Sequence, residues 1–134
     1  MKVLCAFGKH QYGDSSRGLS TEYFSFYKSL KALGHDVKIV DIWNKSLYAD
    51  SIDLNESLVK ECIEFDPDII FASLLLFEVW METFDYVKQK TGSTLVHWCS
   101  DDSWKYKQQS KFISKHFDYM VSTYPEFEEQ YKKQ

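Results

Sequence analysis

The sequence has no basic cluster. Sixteen Lys and Arg stand against twenty Asp and Glu, a formal charge of −4, and no Lys/Arg run appears before Lys132-Lys133. A protein that grips a nucleic-acid backbone carries a basic footprint, so nucleic acid is excluded as the expected partner. Cysteine is scarce and scattered: Cys5, Cys62 and Cys99 lie far apart, which excludes zinc-site spacings and a CxxC redox pair. Cys5 and Cys99 fall inside apolar runs and read as small buried hydrophobes, and a reducing compartment suits them. Long apolar runs are missing too. The stretch around Leu74–Phe77 is too short to span a bilayer, and Met1 leads straight into a strand pattern without a secretory leader. The expectation is a cytoplasmic protein with no transmembrane segment, no internal repeat and no linker.

What is present is ordinary in bulk and rich in rings: 44% apolar and 17% aromatic residues over 134 positions, enough for one domain with a real core. Strand and helix patterns alternate along the whole length. Lys2–Phe7 is an apolar run of the buried parallel type. Residues 20–33 carry Tyr23, Phe26, Tyr27, Leu30 and Leu33 at helical spacing, with Ser20 as cap, Glu22 at the positive end of the dipole and Gly34 as stop. Strands are expected at residues 36–42, 69–74, 94–99 and 118–122, and helices at 54–65, 77–90, 106–117 and 125–133. This alternation predicts an α/β fold, a Rossmann-like three-layer α/β/α sandwich with a five-stranded parallel sheet of order 3-2-1-4-5, in a single domain spanning residues 1–134.

In such a sheet ligands bind beyond the carboxyl ends of the strands, and two loops open there. The first contains Gly13-Asp14-Ser15-Ser16-Arg17-Gly18-Leu19-Ser20. It nearly fits the phosphate-loop pattern, but Leu19 stands where the lysine that holds the terminal phosphates must be, which excludes a nucleotidase of that type. The G-x-G-x-x-G fingerprint is absent, so Asp41 at the end of strand two is a poor ribose-binding acid, and no cofactor is expected. What remains is a glycine-flanked loop before a helix N-terminus, suited to an anion or a sugar hydroxyl, with Arg17 able to add a bidentate contact. A plain flexible connector is the alternative. The second loop, Ser100-Asp101-Asp102-Ser103-Trp104, carries adjacent acids that can hold a hydroxyl-rich ligand or act as a base, or simply cap the next helix. Trp104 can stack on a sugar or cover the core. No His or further acid follows at ligand spacing, so no metal is expected. His97, in mid-strand, reads as a core histidine.

Lys2-Val3-Leu4, Tyr12-Gly13-Asp14-Ser15-Ser16-Arg17-Gly18-Leu19-Ser20-Thr21-Glu22-Tyr23 and Leu30-Lys31-Ala32-Leu33-Gly34-His35-Asp36-Val37, together with His97–Asp102 and Ser122-Thr123-Tyr124-Pro125, resemble the N-terminal lobe of GT-B glycosyltransferases, in particular the CgeB-like (spore maturation protein) bacterial group. The resemblance covers essentially the whole chain. It implies an acceptor-side lobe of an enzyme that moves a sugar from a nucleotide-sugar donor to a hydroxyl acceptor, inactive without a C-terminal donor lobe. On this reading Gly13, Asp14, Arg17, Gly18, Asp101, Asp102 and Trp104 line the substrate cleft, and Asp101 or Asp102 is the candidate catalytic base.

Two other readings compete. One is a non-enzymatic flavodoxin-like or receiver-like module that binds a ligand or a partner, since Ser15–Thr21 is faintly like a flavin phosphate loop. A receiver would need acids at the end of strand one, where Gly8-Lys9-His10 stand instead. The other is a scaffold lobe with a dead cleft.

Overall fold

The computed structural model describes residues 1–133. Strands β1 (Lys2–Ala6), β2 (Asp36–Val40), β3 (Ile69–Ala72), β4 (Thr94–Cys99) and β5 (Tyr119–Ser122) form one parallel sheet. Helix α1 spans residues 21–32, α2 is Ser51–Phe65, α3 is Met81–Thr91, α4 spans residues 102–113, and α5 is Glu128–Tyr131. The α/β class, the five parallel strands and the helices on both faces agree with the sequence reading.

The strand order is β2-β1-β3-β4-β5. It differs from 3-2-1-4-5 in the place of β3, which lies between β1 and β4 instead of outside β2. The topological switch, where a crevice opens between strands running to opposite edges, therefore falls between β1 and β3.

Registry fixes the two faces. Cys5 pairs with Phe71, Phe71 with Val96 and Val96 with Tyr119, so these side chains share one face, and α1 covers it. Phe26 of α1 makes edge-on ring contacts with Phe71 and Trp98, at 5.0 and 5.2 Å. Tyr119 and Val121, farther along the same face, stay exposed. The opposite face carries Leu4, Ile70, Leu95 and His97 under α2, α3 and α4, with Leu58, Phe84, Val87 and Ile113 fully buried.

Local chemistry sets the helix ends. Ser20 Oγ accepts from the Tyr23 N–H (3.0 Å) and starts α1. Gly34, at φ 85°, ends it in the left-handed region that favours glycine. Leu33, assigned to the buried stripe from its spacing, is exposed. Helix α2 begins three residues earlier than residue 54, because the Asp50 carboxylate accepts from the Asp53 N–H at 2.9 Å. Helix α3 begins at Met81, not at residue 77. The Glu78 carboxylate folds back onto the N–H groups of Leu75 and Leu76, and buried Asn55 Oδ1 accepts from the Trp80 N–H (3.0 Å) and the Thr83 hydroxyl (2.7 Å).

Candidate functional site

A cavity of about 520 Å³ opens at the carboxyl edge of the sheet. Its walls come from the loop after β1 (Gln11, Tyr12), the start of α1 (Ser20–Glu22), Trp43 after β2, Ser73–Leu76 after β3, and Trp98, Ser100, Asp101, Trp104 and Lys105 at the end of β4 and the start of α4. The two loops singled out in the sequence do reach one cavity, but through the β3 loop that lies between them.

The β3 loop is held from every side. Trp43 Nε1–H donates to the Ser73 carbonyl at 2.9 Å. The Leu74 N–H donates to His97 Nε2 at 3.3 Å, and the Gln109 amide of α4 donates to the Leu76 carbonyl. With Glu78 fixing Leu75 and Leu76, the wall needs no ordering when something enters. Both helices that border the cavity also contain a wider, π-type stretch, Tyr23–Tyr27 in α1 and Tyr106–Ser110 in α4, a feature common beside functional sites.

The cavity wall carries charge of both signs. Glu22 is buried, and its own backbone N–H and the Ser73 hydroxyl favour the charged form of its carboxyl. Burial pushes its pKa up, Asp101 pushes the same way, and the Lys105 charge opposes them. Lys105 is only 9% exposed. Its ammonium lies 5.4 Å from the Trp104 ring and makes no hydrogen bond or ion pair among the described residues. It acts on Glu22 and Glu78 only through space. Its stem is covered by neighbouring side chains while Nζ keeps contact with the solvent of the cavity, so the cation can meet an acceptor there.

Of the residues predicted for the site, Asp101 and Trp104 line this cavity. Gly13 and Asp14 line an adjoining groove with Trp43, Lys45 and Glu78. Gly13 answers a packing need: at φ 75°, a Cβ there would stand 2.2 Å from the Trp43 carbonyl oxygen. Gly18, also at positive φ, faces open space. Asp14 and Arg17 pair with each other at 3.5 Å, and Asp14 also takes the Ser16 hydroxyl and N–H, which hold its carboxyl below the usual range. The loop closes on itself through a bridge between His10 and Leu19. At its helix N-terminus Ser20 Oγ already accepts from the Tyr23 N–H, and Glu22 places a carboxylate in the first turn, where a further anion meets a like charge.

Asp102 is 0% exposed and lines neither space. Its Oδ2 accepts from the Tyr131 hydroxyl at 2.7 Å, while Oδ1 has no partner among the described residues. Asp101 occupies the cap position of α4 without a side-chain cap bond. His97 is the core histidine expected: it sits against Phe117, contacts Cys99 Sγ, and burial lowers its pKa to about 3. The cysteine thiols are buried and pushed up to about 12 by desolvation. Among the described residues, no group of three or more His, Cys, Asp and Glu converges as a metal site. No helix of the described residues is long and apolar enough to cross a membrane.

No protein-family model matches the chain, and no curated protein matches it. Among solved structures the chain is similar to a signal receiver domain of a modulated diguanylate cyclase from Desulfovibrio desulfuricans G20. The identity is 15% and the TM-score 0.55, over 98% of this chain and 90% of that one. At this identity the likeness is one of fold.

It overturns the resemblance to a GT-B glycosyltransferase lobe. The chain follows a receiver domain over nearly its whole length, and its sheet has the flavodoxin-like order β2-β1-β3-β4-β5 instead of 3-2-1-4-5. The sugar acceptor, nucleotide-sugar donor and donor lobe rested on that resemblance and fall with it. Short motifs such as Leu33-Gly34-His35-Asp36-Val37 mark a helix stop feeding a parallel strand, which many α/β folds share.

Proposed function

We propose that this chain is a non-enzymatic, flavodoxin-like module that binds a small ligand in the crevice at the carboxyl edge of its sheet. The observation that carries the reading is Lys105: its stem is covered, its ammonium reaches a cavity large enough for a ligand, and no ion pair among the described residues holds it. The stiff β3 loop favours binding, because a preformed wall loses little entropy. Catalysis finds no support in the side chains. His97 is neutral, buried and engaged on both nitrogens; the thiols are desolvated; Asp102 is turned onto Tyr131.

The likeness to a domain named as a signal receiver supports a role in which occupancy is passed to a protein partner. The input would be a ligand and not a phosphoryl group, since Gly8-Lys9-His10 follow β1 and Ser73-Leu74 follow β3, with no carboxylate at either place. The test is a thermal-shift screen of a small-molecule library against the wild type and Trp104→Ala. Compounds that raise the Tm of the wild type but not of the variant support the crevice as the site. A library without one such compound counts against it.

A further inference from the structure

The two charges that border the crevice do not neutralise each other. Glu22 and Lys105 line the same cavity and feel each other's field, yet no ion pair joins them. Asp101, exposed in the same wall, adds a second carboxylate beside Ser100. The rings of Trp98 and Trp104 and the side chain of Leu75 line the same cavity. A ligand that is only an anion meets Lys105 but is repelled by Glu22 and Asp101. A ligand that is only a cation has the reverse difficulty. A neutral ligand leaves both charges without the short, charge-assisted bonds that would offset their desolvation. One kind of molecule satisfies all three groups, carrying an acid and an amine a few ångströms apart with an apolar body.

Building on the reading of this crevice as a ligand site, we propose that it takes a zwitterion of the α-amino-acid class, with the ligand carboxylate on Lys105, its ammonium on Glu22 and Asp101, and an apolar side chain against Trp98 and Trp104. The cavity of about 520 Å³ holds such a molecule with an aromatic side chain and some water. The Ser73 hydroxyl, in the same cavity wall, favours the charged form of the Glu22 carboxyl that would take the ammonium.

The test begins with the twenty common amino acids in separate thermal-shift measurements on the wild-type chain. The one giving the largest shift is then compared by calorimetric titration with its decarboxylated amine and its deaminated acid. The inference predicts that the amino acid binds at least tenfold more tightly than either analogue. Lys105→Met should remove the advantage over the amine, and Glu22→Gln the advantage over the acid. Circular dichroism checks that both variants fold, and the analogue series on the wild type stands even if they do not. Equal or tighter binding of either analogue overturns the zwitterion. So does a failure of all twenty amino acids while a library compound still shifts the wild type and not Trp104→Ala, an outcome that keeps the site. Failure of both the amino acids and the library overturns the site itself.

Discussion

The indole N–H of Trp43 donates a 2.9 Å hydrogen bond to the carbonyl of Ser73, and so ties the loop after β2 to the loop after β3 across the end of β1. The same ring lies so near Gly8 that a Cβ on Gly8 would stand 2.2 Å from Cε3. Trp43 thereby fills the space over β1 at the β1/β3 switch point.

Gly8→Ala should therefore be expensive although it adds a single methyl. Overpacking of this kind costs about 1–3 kcal/mol, read as a lower midpoint in urea. Replacing Trp43 with Leu in the same chain should recover part of that loss by vacating the space. If Gly8→Ala alone is neutral, the ring does not sit against that glycine in solution.

His97 makes stability depend on acid. Its folded pKa, about 3, lies below the ordinary 6.5, because burial first and the Lys105 charge second disfavour the cation. Between those values the unfolded chain holds a proton that the folded chain refuses. Stability from this group is thus complete above about pH 6.5 and falls as pH drops toward 3, by about 1.4 kcal/mol per pH unit. His97→Gln, which retains an acceptor for the Leu74 N–H, should flatten the slope of unfolding free energy against pH by one proton in that window.

Asp102 and Tyr131 form a buried couple that a single change should expose. Tyr131→Phe removes the donor to Oδ2 and leaves a carboxylate whose other oxygen already lacks a partner. The expected loss is about 1–3 kcal/mol. The double change Asp102→Leu with Tyr131→Phe should cost less than Tyr131→Phe alone, since the unpaired group is then gone. Equal or greater loss in the double variant would contradict a purely structural role for this aspartate.

Much of the fold was legible locally. The apolar runs that became β1 and β4, the Ser20 cap and the stops at Gly34 and Gly92 are written in neighbouring residues, and the structure keeps them. The place of β3 was not, because periodicity says that a strand exists but not beside which strand it pairs. The first turn of α3 was lost for a similar reason: the Asn55 contact that starts it comes from 25 residues earlier in the chain. In the crevice, Asp101 and Trp104 could be found from their loop. Glu22 could be read only as a partner of the helix dipole, and Lys105 as one more surface lysine. Their burial arises only when α1 and α4 border the same β3 loop. The bond between Asp14 and Arg17 has no signature in the sequence, because two residues three apart in a loop meet only when the loop turns back on itself.

On the proposed reading, Glu22 and Lys105 serve a ligand and not the fold. Chemical denaturation of the double variant Glu22→Gln with Lys105→Met, in the absence of any added compound, tests it most directly. Replacing buried charges with neutral groups of similar size is neutral or stabilising when they serve no structural purpose. The expected double variant is at least as stable as the wild type and binds none of the compounds that shift the wild type. A loss of more than about 2 kcal/mol, or a fully stable variant that still binds those compounds as the wild type does, would contradict it.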